Sequence, residues 1–505
     1  MNERKTYIRI LAGTLLIKLA LAYFLPMSGD EAYFIIWAKH LDFGYYDHPP
    51  MVGWILYLLR FLGDSEWLMR LPAVLFSTVI GMLIYRLLKP YDTARAALVA
   101  ALFLLSPVNI LDVLITTDTP LILFVFLSVY ALVRGVQNDS RWWYALSGAA
   151  MGLAFLSKYF AVLLGVAYLG FFLFTLPDKR RWSNFAVLLA AAAPFVALNV
   201  YWNYTHCWDN ILFNLYNRNT GARFAWKNVL LYGITTIYLI TPPVIYYAWR
   251  QREAFKEPAN VIFRLYAYVF AVPVLLFFLL SFRKTIGLHW VLAFYPFFYL
   301  LLARYFTVTQ LTKTVKYMAW FSAAHLLVVI ALLTAPASMW QQTRLYGGYV
   351  LLMHTDEVLV KLQPYASVFL LATDGYSSSA ILSYHEEKHF SGNEFFVFGA
   401  GSKHARQDDM ITDYRRMAGR NILTIDKSPP ELPKYSPYFA RVEVRQLIVR
   451  GATLYLTLGY NFNYPAYRAE ILTQIRDRYY RIPNFLPHAP CYFCQKYFPQ
   501  SHCPH

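Results

Sequence analysis

The sequence predicts a mainly α-helical, polytopic membrane protein with about eleven transmembrane helices, followed by a C-terminal α/β domain outside the membrane. Three observations predict this architecture. Of the 505 residues, 58% are hydrophobic and only 15% are charged, whereas an average soluble domain has about 25% charged residues. Long apolar runs recur through residues 1–335. From Pro336 onward, mixed polar sequence with short β-rich segments replaces them.

The apolar runs define a transmembrane region over residues 1–335, since about 20 such residues cross the hydrocarbon core. The first run follows a basic start without a small-residue cleavage site, which is typical of an uncleaved signal anchor. A long loop over residues 27–66 follows it, in which we expect short helices on the membrane surface. The eleven runs lie at roughly 7–26, 67–89, 94–113, 119–136, 142–157, 159–177, 182–202, 228–249, 262–282, 287–305 and 315–335.

Basic residues are distributed unevenly between the two alternating sets of loops. The set that contains the N-terminus holds 18 lysines and arginines, and the opposite set holds 8. The positive-inside rule therefore predicts a cytoplasmic N-terminus, with the 27–66 loop and the C-terminal region outside. Residues 1–335 also carry 13 of the 17 excess positive charges. Membrane topology explains this net charge, and no nucleic-acid partner is expected.

The region 336–505 reads as a small α/β domain. An antiparallel hairpin is predicted over residues 441–460, turned at Gly451. Further β-rich segments lie at 367–373, 395–399 and 421–426, and helical segments at 376–384, 408–417 and 464–480.

Carboxylates lie next to two of the predicted membrane spans, on the side predicted to face outward. Asp30 and Glu31 begin the loop after the first span, and Asp118 lies in the short connection before the fourth. Acids at the outer interface are candidates for catalysis. Each could equally be an N-terminal residue of a helix, where carboxylates favour the macrodipole.

Cations and a rigid turn share the predicted outer side. Lys158, Arg283 and Lys284 lie at the depth of lipid headgroups, where they could bind a lipid-linked phosphate or simply anchor the helices. His289 follows them closely. In the 27–66 loop, Tyr46, Asp47 and His48 precede two prolines, which restrict the backbone and would hold these side chains rigidly.

The four cysteines leave two alternatives open. Cys491 and Cys494 could form a local disulfide outside the cytoplasm. Alternatively, the C-terminal spacing of histidine and cysteine suits zinc. The residues concerned are His488, Cys491, Cys494, His502, Cys503 and His505, and a further histidine, His206, stands beside Cys207.

Four motifs, in order and on one predicted side, together resemble the GT-C glycosyltransferases. The most similar branch is the bacterial one related to protein O-mannosyltransferases and lipid A aminoarabinose transferases, and the resemblance covers about residues 1–335. It implies that a sugar moves from a polyprenyl-phosphate donor to a lipid A-like or other envelope acceptor on the periplasmic side of the bacterial inner membrane. The motifs are Gly29-Asp30-Glu31-Ala32-Tyr33, Tyr45-Tyr46-Asp47-His48-Pro49-Pro50, Thr117-Asp118-Thr119-Pro120 and Leu156-Ser157-Lys158.

The resemblance implies roles for the candidate residues. Asp30 matches the catalytic acid of the first loop, with Glu31 and Asp118 expected to position substrate hydroxyls. Lys158, with Arg283 and Lys284, is implied to contact the donor phosphate, and Tyr46, Asp47, His48 and His289 to bind substrate. No cofactor is certain, but some relatives use an acid matching Asp47 with a later histidine for a divalent metal ion, and His206 is the candidate histidine. The aminoarabinose transferases have a lysine where this chain has His48, so the resemblance leaves the sugar and the acceptor open.

Three other functions fit parts of the sequence. A protein O-glycosyltransferase would use the same donor with a different acceptor. A flippase for a lipid-linked sugar would place ionisable groups at the membrane midplane, whereas the candidates here lie at the outer interface. An envelope scaffold would leave Asp30 and Asp118 without a purpose.

Overall fold

A computed structural model describes residues 3–176, 179–217, 223–390, 392–399, 406–488, 490–500 and 503. The chain divides into two compact units. The first comprises Met1–Leu25, Pro49–Asn199 and Gly221–Leu333, and the second comprises Pro26–His48, Val200–Thr220 and Thr334–His505. The second unit therefore contains the C-terminal region together with two segments from the predicted transmembrane region.

The described residues between positions 3 and 334 are mainly helical, as the apolar runs predict. In chain order the helices are α1 (Glu3–Phe24), α2 (Gly29–Lys39), α3 (Met51–Arg60), α4 (Glu66–Met69), α5 (Leu71–Leu88), α6 (Thr93–Leu105), α7 (Pro107–Leu111), α8 (Asp118–Asn138), α9 (Arg141–Phe155), α10 (Val162–Phe174), α11 (Arg181–Thr205), α12 (Asp209–Leu215), α13 (Trp226–Ile240), α14 (Pro242–Arg250), α15 (Val261–Ser281), α16 (Tyr295–Tyr305) and α17 (Val308–Thr334).

The protein is a polytopic membrane protein. Within the described parts of the chain, six helical segments are long and apolar enough to cross a membrane, and α13 with α14, bent by 82°, would make a seventh. All eleven predicted runs contain helix, but α6 has 13 residues and α16 has 11. Because helices this short do not cross the hydrocarbon core alone, the number of eleven spans stays a prediction. The six segments are Glu3–Phe24, Glu66–Leu88, Asp118–Asn138, Arg181–Thr205, Val261–Ser281 and Val308–Thr334.

Two short helices, α2 and α3, occupy the 27–66 loop, as expected. The side chain of Ser28 accepts a hydrogen bond from the backbone N–H of Glu31, whose own carboxylate accepts one from the Ser28 N–H, so α2 begins with a complete capping box. A Cβ atom at Gly29 would overlap the side chain of Ser377. Glycine is therefore required for the close approach of α2 to the helix that carries Ser377.

The C-terminal region folds as the predicted α/β layer around a five-stranded mixed sheet. Its strand order is β2-β1-β3-β5-β4, with β1 parallel to β2 and β3 and the remaining pairs antiparallel. The strands are β1 (Leu370–Thr373), β2 (Phe396–Val397), β3 (Ile422–Asp426), β4 (Phe439–Val449) and β5 (Ala452–Phe462), and the helices are α18 (Tyr346–Met353), α19 (Thr355–Ala366), α20 (Tyr376–His389), α21 (Gln407–Ile411), α22 (Tyr464–Tyr467), α23 (Thr473–Tyr479) and α24 (Tyr492–Tyr497).

The predicted hairpin is confirmed. Strands β4 and β5 pair in register from Val449 opposite Ala452 to Phe439 opposite Phe462. Arg450 and Gly451 between them have φ angles of 48° and 82°. Positive φ at both central residues is the geometry of a two-residue turn that matches the twist of its strands.

Both predictions for the C-terminal cysteines are wrong. Cys207 is bonded to Cys491, and Cys494 is bonded to Cys503, so neither a Cys491–Cys494 bridge nor a set of zinc-binding thiolates exists. Cys207 and Cys491 are 284 residues apart in sequence, and only folding of the second unit brings them together. The histidines at positions 502 and 505 of the expected zinc set lie outside the described residues.

Replacing Cys207 with serine should leave Cys491 as a reactive thiol while the Cys494–Cys503 bridge survives. Peptide mapping by mass spectrometry, without reduction and after thiol alkylation, tests this directly. The unaltered protein should yield two disulfide-linked peptide pairs and no alkylated cysteine. An alkylated Cys491 in the unaltered protein, or a linked Cys491–Cys494 peptide, would contradict the pairing.

Candidate functional site

The two carboxylates of the first motif have different environments. Asp30 lies in the first turn of α2, is exposed, and accepts a 3.1 Å hydrogen bond at Oδ1 from the Tyr376 hydroxyl. Glu31 is buried, and its carboxylate closes the capping box of α2. The helix-start alternative therefore accounts for Glu31, while Asp30 presents a carboxylate that could meet a substrate.

Arg406 links Asp30 to the second motif. Its guanidinium lies 4.1 Å from the centre of the Tyr376 ring and donates a 3.0 Å hydrogen bond from Nη1 to Oδ2 of Asp47. Asp47 is 2% exposed, and its other oxygen accepts a 3.3 Å hydrogen bond from the Tyr33 hydroxyl. A buried carboxylate requires a charged partner and hydrogen bonds, and Arg406 with Tyr33 supplies both. Asp47 thereby fixes the position of Arg406.

Burial determines the protonation of the two tyrosines in this network. It raises the pKa of Tyr376 to about 12, despite the nearby positive charge of Arg406. Burial, reinforced by the negative charge of Asp47, raises the pKa of Tyr33 well above its usual value. Both phenols therefore remain protonated near neutral pH, so Tyr376 can donate to Asp30 and Tyr33 can donate to Asp47.

The chain before the paired prolines is held through its backbone. The side-chain amide of Asn210 donates a 2.9 Å hydrogen bond to the carbonyl of Tyr45, and that of Asn214 donates one of 2.9 Å to the carbonyl of Asp47. Both asparagines belong to α12. Helix α12 therefore fixes the backbone of the Tyr45–Pro50 motif, which was predicted to form a rigid turn.

Tyr46 and His48 lie on either side of Asp47 but differ in exposure. Tyr46 is fully buried, its backbone N–H donates a 2.8 Å hydrogen bond to the side-chain carbonyl of Gln407, and its ring packs 5.7 Å from that of Phe213. His48 is half-buried, with its ring 6.2 Å from the ring of Trp37. Of the two predicted substrate contacts, only His48 presents a partly accessible side chain.

In the first unit, Asp118 and Lys158 form a buried ion pair. The ammonium of Lys158 lies 2.8 Å and 2.7 Å from the two carboxylate oxygens of Asp118, and each side chain is 9% exposed. Asp118 is the first residue of α8, where the helix macrodipole also favours its negative charge. The sequence predicted separate roles for Asp118 and Lys158, but each is the counter-ion of the other.

The remaining predicted phosphate contacts follow α15. Arg283 is exposed, and the ammonium of Lys284 lies 5.5 Å from the centre of the Trp290 ring. His289 is also exposed, in a short 3₁₀ turn, Leu288–Val291. The segment between α15 and α16 in the first unit therefore carries two cations and an imidazole that are at least partly accessible.

The residues expected to hold a divalent metal do not fit one. Asp47 accepts from Arg406, whose guanidinium already supplies the positive charge beside that carboxylate. His206 stacks on Trp202 and its Nδ1 lies 2.9 Å from the Trp202 carbonyl, with Nε2 3.7 Å from a carboxylate oxygen of Asp42. Over the part of the chain that the structure describes, neither Asp47 nor His206 belongs to a group of three potential metal ligands.

Three comparisons relate this geometry to known proteins. The sequence profile of the dolichyl-phosphate-mannose-protein mannosyltransferase family matches residues 47–202. Lipid A galacturonosyltransferase RgtD from Rhizobium johnstonii is 30% identical over 183 residues, which is 35% of this chain and 38% of RgtD. The aligned part of the chain therefore spans well under half the length of this curated relative.

Solved structures extend the similarity to most of the chain. ArnT from Cupriavidus metallidurans, in a crystal structure bound to undecaprenyl phosphate, aligns with a TM-score of 0.62 at 15% identity, covering 89% of this chain and 97% of ArnT. The apo crystal structure of ArnT aligns with a TM-score of 0.59 at 16% identity and the same coverage. The chain has the GT-C fold. The resemblance that the four motifs indicate is thereby confirmed.

The family match includes only some of the candidate site residues that the structure describes. The family match over residues 47–202 includes Asp47, Asp118 and Lys158, but it leaves out Asp30 and the basic residues after α15. Arg406 and Tyr376 lie far in sequence from all four motifs, and the sequence alone did not indicate either residue. No local signal marks either residue, because their importance arises from contacts with residues more than 300 positions away.

Replacing Arg406 with alanine should lower the stability of the second unit by about 2–3 kcal/mol, since a charged hydrogen bond is lost and Asp47 stays buried. Thermal unfolding of the purified protein in detergent measures this as a lower melting temperature. The double variant Arg406→Ala/Asp47→Asn is the matched control, because it leaves no buried charge and should regain much of the loss. An Arg406→Ala protein that melts like the unaltered protein would contradict the role of this pair.

Proposed function

We propose that the protein transfers a hexosyl or pentosyl unit from a polyprenyl-phosphate donor to a lipid A-like acceptor on the periplasmic side of the bacterial inner membrane. The observation that carries the proposal is the structural likeness to ArnT over 97% of ArnT's length, with undecaprenyl phosphate bound in one of the two ArnT structures. The similarity to RgtD, a lipid A galacturonosyltransferase, supports a lipid A acceptor.

Two disulfides support the proposed orientation. Cys207–Cys491 and Cys494–Cys503 both belong to the second unit, and structural disulfides persist in oxidising compartments such as the periplasm. The excess of basic residues in the opposite set of loops favours the same orientation. We therefore place the N-terminus in the cytoplasm and the second unit in the periplasm.

The proposed reaction is an in-line displacement at the anomeric carbon. The acceptor oxygen forms a bond to the anomeric carbon while the bond between that carbon and the phosphate oxygen of the donor breaks. Polyprenyl phosphate therefore leaves with the bonding electron pair. A phosphate leaves readily when cations neutralise it, so no general acid of the glycosidase type is required. Lys158, Arg283 and Lys284 are the cations we propose for this task.

Asp30 is the proposed base. If the acceptor is a hydroxyl group, its proton passes to the carboxylate of Asp30 as the new bond forms. If the acceptor is a phosphate, its oxygen is already deprotonated, and Asp30 orients the acceptor instead. Tyr376 and Arg406 act as positioning residues, because one holds the Asp30 carboxylate and the other packs against the Tyr376 ring.

Asp118 is better explained as the partner of Lys158 than as a contact to substrate hydroxyls. Both of its oxygens lie within 3 Å of the Lys158 ammonium. The carboxylate fixes the position of the ammonium in a buried setting, while the ammonium retains a third hydrogen available for a phosphate oxygen. Asp118 therefore acts on the donor through Lys158.

A second candidate function is protein O-glycosylation. The match to the dolichyl-phosphate-mannose-protein mannosyltransferase family favours it, since the match includes four of the candidate site residues: Asp47, His48, Asp118 and Lys158. The chemistry at the donor would be the same, and only the acceptor hydroxyl would belong to a serine or threonine.

Replacing Asp30 with asparagine should lower sugar transfer at least 100-fold if the acceptor is a hydroxyl, because a general base contributes about 10²–10⁴ in rate. The assay is release of polyprenyl phosphate by purified protein given a polyprenyl-phosphate sugar and lipid A. Glu31→Gln is the matched control, because it removes the charge of the adjacent residue while glutamine preserves the capping box. This variant should stay active. An active Asp30→Asn protein would refute the base assignment. Absence of release by the unaltered protein would contradict transfer to lipid A and leave the protein O-glycosyltransferase, flippase and scaffold alternatives.

Neutralising both Lys158 and Asp118 distinguishes a role of Lys158 in binding the donor phosphate from a purely structural role. The double variant Lys158→Gln/Asp118→Asn removes both charges at nearly constant volume, so it avoids the unpaired buried carboxylate that Lys158→Gln alone would leave. We expect the double variant to need at least tenfold more donor for half-maximal rate, with acceptor dependence unchanged. Recovery of the original donor dependence in the double variant would show that Lys158 only balances Asp118.

A further inference from the structure

We infer that Asp356, His385 and His389 form a binding site for a divalent transition-metal ion of the zinc type. The three donor atoms lie within 4.8 Å of one another in the second unit. Two imidazoles and a carboxylate are ligands that zinc accepts, and a water molecule would complete four-coordination. None of the candidate catalytic or donor-binding residues belongs to this cluster.

Helix geometry brings the three side chains together. His385 and His389 are four residues apart in α20, so they project from the same face of that helix. Asp356 lies in the first turn of α19, which packs against α20. Both carboxylate oxygens of Asp356 therefore face the imidazole pair.

The distances suit closure around an ion. The Nδ1 atom of His385 lies 2.9 Å from Oδ1 of Asp356, and the Nε2 atom of His389 lies 4.0 Å from Oδ2. With metal–ligand bonds of about 2.0–2.1 Å, ligands of a tetrahedral zinc site are separated by roughly 3.3 Å. The side chains of Asp356 and His389 are 53% and 41% exposed, so small rotations of both can adjust these separations.

Neighbouring charged residues have partners of their own outside the cluster. The carboxylate of Glu387 forms an ion pair with Lys39, and the ammonium of Lys388 lies over the ring of Tyr384. Glu357, adjacent to Asp356, pairs with Arg450. The carboxylate that faces the two imidazoles is therefore that of Asp356.

Such an ion would join α19 to α20, the helix whose first residue, Tyr376, contacts Asp30. The ion would be structural, because it lies near the C-terminal end of α20 and Tyr376 lies at its N-terminal end. A plain histidine–aspartate ion pair is the competing explanation, and it predicts no tight metal binding.

Zinc titration of the purified full-length protein tests the inference. The protein carries a tag without histidine, is treated with EDTA and dialysed, and is then titrated with ZnCl₂ by isothermal calorimetry. We expect one site per chain with micromolar or tighter affinity. His385→Ala and Asp356→Asn should each weaken binding at least tenfold, and Asp356→Asn guards against a folding defect because it retains a hydrogen-bond acceptor. His354→Ala is the matched control, since His354 forms a histidine–carboxylate contact of 3.4 Å with Glu357 outside the cluster.

Hydrogen exchange gives an independent readout of where the ion binds. Zinc should slow amide exchange in α19 and α20 of the unaltered protein and leave exchange unchanged in the double variant His385→Ala/His389→Ala. Absence of tight binding to the unaltered protein would overturn the inference. Unchanged affinity in the double variant would overturn it as well, because the ion would then bind elsewhere.

Discussion

The ion pair between Arg406 and Asp47 is the interaction on which the organisation of the second unit depends. Asp47 is 2% exposed, so its charge requires a permanent cation in contact, and a guanidinium meets that requirement. The same guanidinium packs on the ring of Tyr376, whose hydroxyl donates to the exposed carboxylate of Asp30. One buried charge therefore connects the motif before the paired prolines to the motif that begins α2. A lysine at position 406 could neutralise Asp47, but it would lack the planar surface that faces Tyr376.

Local sequence patterns predicted most of the secondary structure but less of its organisation. Apolar runs located the helices, and Gly451 located the turn of the β-hairpin, because both signals depend on residues close in sequence. The number of spans did not follow, since an apolar run does not reveal where a helix breaks, as the chain does between α13 and α14. The sequence also did not indicate the Cys207–Cys491 pairing, because the two cysteines are 284 residues apart and the spacing suggested only a local bridge or a zinc site.

In the candidate site, the sequence likewise indicated individual residues but not the contacts between residues that are far apart in the chain. The motifs identified Asp30, Asp118 and Lys158, but they did not indicate that Asp118 and Lys158 neutralise each other, because 40 residues separate them. Glu31 shows the opposite case: a position at the start of a helix was one of the two roles that the sequence left open for it, and the structure gives it that role as part of a capping box. Arg406 could not be found from the sequence, since nothing adjacent to it distinguishes it from the other arginines of the C-terminal region.

The proposed transfer of a sugar onto an envelope lipid is open to a direct test by comparison of lipids. Lipid extracts, including lipid A, would be analysed by mass spectrometry from a strain without this gene and from the same strain complemented with the unaltered gene. We expect a lipid A species heavier by one sugar that is present only in the complemented strain. Identical lipids in both strains would contradict a lipid acceptor and leave the protein O-glycosyltransferase as the candidate.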